Sequence, residues 1–170
     1  DSDFIKPQMA PRPVPAEALE EATDAQISGY QRVGFDRLAG FPFEVTDALA
    51  DATRDPQGAS AATRRQIPPA VLALDGAKTA IRGFLIPLRM EDGRAVEFLL
   101  MRDQNLCCFG KVPNLHEWIS VSAQRLAVKP DMDRPITVLG TLHVGEQREN
   151  GYLVGIYRLD AEKVIAPGWR

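Results

Sequence analysis

Between residues 77 and 159 apolar side chains recur in short alternating runs, and the spacing predicts a succession of strands. Residues 77–88 hold Ile81, Phe84, Leu85, Ile86 and Leu88, with Gly83 read as a bulge or a close backbone approach. The turn Glu91-Asp92-Gly93-Arg94 joins this run to residues 96–101 as a hairpin, because Asp-Gly readily takes the positive φ angles that a two-residue loop needs. Residues 118–121 make a third short strand and residues 136–144, with Gly140 inside, a fourth. Asn150-Gly151 is a second hairpin turn, and residues 152–159 alternate through Leu153, Gly155, Tyr157 and Leu159 as the fifth. Five short strands, with a longer excursion between the third and fourth, predict a mainly β fold: a five-stranded OB-like barrel. A sandwich has the same strand count and stays open as the alternative.

The first half of the chain is patterned differently. Pro7, Pro11, Pro13 and Pro15 fall within residues 1–15, which read as a Pro-rich extended tether with too little apolar surface to offset ordering. Residues 16–65 read as an N-terminal extension. Within it, residues 16–26 favour a short helix with acidic residues in its first turn. Phe41, Phe43 and Val45 alternate as a half-buried strand would, and residues 46–65, rich in Ala, Asp, Thr and Gly, read as a short helical turn and a mobile loop. Pro68 and Pro69 stand at the entry to a further short helix that stops at Asp75-Gly76, and the barrel domain is assigned to residues 66–165.

Composition narrows the function classes. With 170 residues the chain can bury one good core, and its 45% hydrophobic and 25% charged residues are ordinary globular values. A net charge of -3 without a Lys/Arg run disfavours nucleic-acid binding by phosphate neutralisation. No apolar run approaches the roughly 20 residues that a helix needs to cross a bilayer. The start at Asp1 suits a mature chain after signal cleavage or a trimmed one. The only cysteines, Cys107 and Cys108, are adjacent and cannot staple distant elements.

The stretch from Ile67 to Met101 carries Ile67-Pro68, Leu74-Asp75-Gly76, Gly83-Phe84, Pro87-Leu88 and Glu97-Phe98-Leu99-Leu100. With the later Gly140-Thr141 and Gly151-Tyr152, it resembles domain-of-unknown-function family 3299, a group of mostly exported bacterial proteins, over residues 35–159. The resemblance implies an export or lipoprotein signal, hence a periplasmic or lipid-anchored location, and neighbourhood to transporter components, some tied to metal supply. It implies no catalytic residues. Many relatives follow a single Cys soon afterwards with a His; this chain instead reads Cys107-Cys108-Phe109-Gly110, and its next His is His116.

One constellation bears chemistry: Cys107, Cys108, His116, Glu117 and His143, which takes in every Cys and His of the chain. Thiolate and imidazole suit zinc or copper, and a tetrahedral site needs four ligands, so Cys107, Cys108, His116 and His143 are the candidate metal ligands. Three other readings compete. Free cysteines are most often buried as small hydrophobes. Adjacent cysteines can close a strained vicinal disulfide. A thiolate beside His116 or His143 would be a nucleophile. No nucleophile elbow, phosphate-cradling loop or paired carboxylate accompanies them; Asp131 and Asp133 read as a solvated turn. Trp118, Phe109, Tyr152 and Tyr157 suit core packing better than base stacking. The sequence therefore points to an exported accessory protein, not an enzyme, that binds a ligand such as a transition metal, or an envelope partner. A thiol-based enzyme or redox protein is the first alternative and an OB-type nucleic-acid module the second.

Overall fold

In this computed structural model the chain is described over residues 22–104, 113–126 and 128–166. Strands dominate, because β-branched and aromatic residues alternate with polar ones along most of the second half. They are β1 (Gln31–Arg32), β2 (Lys78–Glu91), β3 (Arg94–Met101), β4 (Trp118–Ser122), β5 (Ile136–Glu149) and β6 (Tyr152–Ile165). Four short helices precede β2: α1 (Phe35–Leu38), α2 (Asp47–Ala50), α3 (Pro56–Gln66) and α4 (Pro69–Leu72).

The six strands form one sheet in the order β1-β2-β3-β4-β6-β5, and β5 pairs back onto β2. The pairing β2-β3-β4-β6-β5-β2 therefore returns on itself. Within it β4 and β6 run parallel and the other neighbours antiparallel. Within the ring strand β2 serves two partners in succession, residues 78–83 pairing with β5 and residues 84–91 with β3, while β1 lies parallel along Thr79 and Ala80. Gly83 stands at the changeover, where a Cβ would lie 2.7 Å from the Leu100 side chain and the Met101 carbonyl. Both hairpin turns take positive φ at their two central residues, Asp92 (52°) with Gly93 (75°) and Asn150 (54°) with Gly151 (85°). That geometry matches the twist of the strands they join.

Inward side chains from every ring strand make one core, including Ile81, Leu85, Phe98, Leu100, Ile119, Val138, Leu142, Ile156, Tyr157 and Leu159. The earlier helices complete it: Phe35 and Leu38 from α1 are fully buried in the same cluster, with Val71 from α4 beside them. Two smaller clusters lie apart from it: Ala80 and Leu139 under Ala22 and Ile27, and Phe84 with Met101 beside Trp118.

All five expected strands are present, most of them longer than their alternation suggested, and β1 is an unanticipated addition. Residues 41–45 are not a strand. The Phe41 carbonyl and the N–H and carbonyl of Glu44 are bonded by side chains instead of by a neighbouring strand. Residues 46–65 hold α2 where a short helical turn was expected, and α3 where the composition suggested a mobile loop. The Thr46 hydroxyl caps α2, the Asp55 carboxylate accepts the Gly58 N–H to cap α3, and Pro56 opens it. The expected helix over residues 16–26 falls mostly outside the described residues; Thr23 to Ile27 form a turn. The tether of residues 1–15 lies outside them altogether.

Candidate functional site

Residues 34–45 cross one side of the strand ring as a strap, fastened at every third residue by a side chain from a different element. The Tyr157 hydroxyl of β6 donates to the Leu38 carbonyl at 2.6 Å. The His116 ring donates from Nε2 to the Phe41 carbonyl, also at 2.6 Å. Gln66, the last residue of α3, grips Glu44 twice: its Oε1 accepts the Glu44 N–H at 2.8 Å and its Nε2 donates to the Glu44 carbonyl at 2.9 Å. An amide side chain there does what a neighbouring strand would do. Tyr157 is wholly buried, and desolvation pushes its hydroxyl well above the usual phenol range.

His116 is the centre of this region. It sits on a 3-10 turn, Leu115–Glu117, between β3 and β4, with only 4% of its surface exposed. The Asn114 side chain accepts the Glu117 N–H while the Glu117 carboxylate accepts the Asn114 N–H, a reciprocal box that fixes the turn. Glu117 is thereby committed to structure. The Phe41 ring meets the imidazole edge-on at 5.1 Å and Phe43 lies at 6.2 Å. A carbonyl can only accept, so Nε2 carries the ring proton and Nδ1 of the neutral ring keeps its lone pair. That Nδ1 is buried and has no hydrogen-bond partner among the described residues. His116 also lines a cleft of about 660 Å³, with Phe41, Pro42, Phe43, Glu44, Asn114, Ala39 and Gln66.

His143 has the opposite setting. Strand alternation sends Leu142 and Val144 inward and His143 out, 37% exposed. Its Nε2 lies 2.8 Å from Asp160 Oδ2, which Arg158 also approaches at 3.8 Å. It lines a shallow hollow of about 220 Å³ that shares no described lining residue with the His116 cleft. Ser122 faces Asp160 across the β4–β6 pair. The order Ser-Asp-His puts the carboxylate, not the base, in the middle, so it is no nucleophile relay.

Cys107 and Cys108 lie outside the described residues, as does Phe109. Among the described residues no three His, Cys, Asp or Glu side chains group closely enough to hold a metal ion. Asp131 accepts the Asp133 N–H and closes its own turn. Trp118 donates from Nε1 to the Val154 carbonyl. No described helix is long and apolar enough to cross a membrane.

Sequence reasoning missed Phe41, Glu44 and Gln66 as parts of this site. Only the Phe41-Phe43 alternation hinted at them, and it was read as a strand. It also missed a second cleft, about 350 Å³, where Arg32, Arg37 and the 9% exposed Arg82 stand with Asp36 and Thr137.

No curated protein matches the chain. A crystal structure of a DUF3299 family protein from Pseudomonas aeruginosa PAO1 is similar to it, with a TM-score of 0.58 and 24% identity over 84% of this chain and 99% of that one. A putative aspartyl-tRNA synthetase from Leishmania major Friedlin overlaps 87% of this chain but 23% of its own, at 10% identity and a TM-score of 0.37. The profile of a protein family of unknown function, DUF3299, matches residues 13–166, and the chain belongs to that family.

Proposed function

We propose that this chain is a ligand-binding accessory protein of the bacterial cell envelope, built on an OB-like five-stranded barrel, whose ligand is a transition metal such as zinc or copper. The barrel reading rests on the returning order of pairings, with the third and fifth ring strands parallel. The envelope location rests on the exported character implied by the sequence resemblance.

The metal reading is carried by one observation: His116 donates Nε2–H to a backbone carbonyl and holds a buried Nδ1 lone pair that has no partner among the described residues. Metal-binding histidines have this arrangement, in which the outer hydrogen bond fixes the tautomer and makes the free nitrogen more basic. An enclosed lone pair suits an ion better than a larger molecule. Cys107 and Cys108 stand nine and eight residues before it in the chain and supply the thiolates. His143, in its own hollow and engaged by Asp160, is the candidate ligand expected to contribute least.

Native mass spectrometry of protein purified without chelator tests the reading. Extra mass matching one zinc or copper, lost on denaturation and absent from the Cys107→Ser/Cys108→Ser double variant and from His116→Gln, is the expected result. A bare mass after incubation with either metal overturns it.

A further inference from the structure

We propose that the cleft floored by Arg82 binds a phosphate group, free or carried by a small organic molecule. The site stands apart from the metal reading above: it shares no described lining residue with the His116 cleft.

Strand alternation builds the floor. Ile81 and Val138 point into the main core, so their neighbours Arg82 and Thr137, paired across β2 and β5, stand on the outer face. The parallel pairing of β1 sets Arg32 alongside Ala80, and the chain that follows adds Arg37 from α1. Three guanidiniums and one carboxylate, that of Asp36, therefore line a cleft of about 350 Å³. They do so in a chain whose net charge is -3. Arg82 is only 9% exposed and Thr137 5%. A charge so placed is weakly screened and attracts an anion more strongly than one on the open surface. Arg32 also serves the fold, donating to the Ala22 carbonyl at 2.9 Å and to Asp24 at 3.1 Å, and Arg82 has an interaction of its own within the protein. Such bonds do not use up a guanidinium, which carries five N–H donors. Guanidinium forks match the oxygens of a phosphate, and the Thr137 hydroxyl is a further donor. A carboxylate brings two oxygens and one charge, whereas a phosphate monoester brings three acceptor oxygens and about two charges, and so answers three guanidiniums better. Val33, Phe35 and Ala80 add apolar wall. The volume lies near the lower end of small-ligand clefts, about 300–1,000 Å³, which leaves room for an organic group beside the phosphate.

The experiment titrates the full chain, at low salt and without added metal, with inorganic phosphate, glycerol phosphate and acetate, and reads binding by isothermal calorimetry. One phosphate compound bound per chain, about tenfold or more tighter than acetate, is the expected outcome. Equal binding of phosphate and its ester assigns the site to the free ion; a tighter ester assigns it to a phosphorylated small molecule. Arg37→Gln removes an exposed guanidinium and is expected to weaken that binding about fivefold. Asp36→Asn removes the opposing charge and is expected to tighten it about threefold. Arg82→Gln is expected to abolish binding, and a thermal melt shows whether that variant still folds; where it does not, the Arg37 and Asp36 variants decide alone. His116→Gln should leave phosphate binding unchanged, which keeps this test apart from that of the metal reading. No phosphate binding, phosphate bound no better than acetate, or binding indifferent to both Arg37 and Asp36 overturns the site.

Discussion

The strap, a helical turn followed by chain without regular structure, and the strand ring are held by different means. In the ring each strand is paired along most of its length by backbone ladders to its two ring neighbours, so hardly any single side chain decides whether it stays paired. The strap has no ladder over residues 41–45. Its backbone is held at Leu38, Phe41 and Glu44 by one phenol, one imidazole and one amide, each on a different element. A ladder resists change at any one residue. A chain fastened at three points can be moved by altering one. Chemistry that alters a single side chain is therefore felt in the strap and hardly in the ring, and the two histidines divide along this line: His116 fastens the strap, while His143 decorates the ring.

The largest test of that contrast asks whether the strap belongs to the same cooperative unit. Phe35 and Phe98 are both fully buried in one core cluster, so Phe35→Ala and Phe98→Ala are each expected to cost about 3–5 kcal/mol in urea unfolding, in one transition. An early separate transition for Phe35→Ala would mean that the strap is an appendage. Next in size is Tyr157→Phe, which strands the buried Leu38 carbonyl and is expected to cost about 1–3 kcal/mol. The same residue predicts an alkaline limb. Burial raises the folded-state value of its hydroxyl, so its contribution is complete below the ordinary phenol pKa of about 10 and is lost as pH rises beyond it, because only the unfolded chain ionises freely. Thermal melts from pH 8 to 11 should fall more steeply for the natural protein than for Tyr157→Phe. Smallest is His143→Ala. Its partner Asp160 is half exposed, so the loss is expected at about 0–1 kcal/mol, with metal content unchanged. A larger loss of either would erase the distinction between the histidines.

What the sequence made legible follows the same division. Ladders need every second residue on one face, so the five ring strands announce themselves, and so does the outward position of His143 between Leu142 and Val144. Phe41, Phe43 and Val45 gave the same alternation and the wrong element. Period alone says nothing of whether a neighbouring strand or a side chain will satisfy the backbone. Helix α3, Pro-Gln-Gly-Ala-Ser-Ala-Ala-Thr-Arg-Arg-Gln, has no apolar stripe, and its only sign was Asp55-Pro56 at the cap. The burial of His116 was not readable, because the groups that enclose it come from residues about 75 positions away. Some of the motif residues carry structural tasks: Leu74 is buried, the Asp75 carboxylate accepts the Val144 N–H at 2.9 Å, and Gly76 adopts a φ of +81°. These motif residues therefore serve the fold, and the His116 region lies outside them.

The seam between β2 and β5 also sets the tempo of assembly. Thr79 and Gly140, which meet there, are 61 residues apart in the chain. The hairpins β2–β3 and β5–β6 can form from local sequence, but the ring has no closed state until they find each other. Closing so wide a loop costs chain entropy before the seam returns any contact energy. Such topologies refold on the order of milliseconds to seconds, not microseconds. A chain interrupted anywhere before β5 leaves residues 78–83 of β2 without the strand that pairs with them in the closed ring.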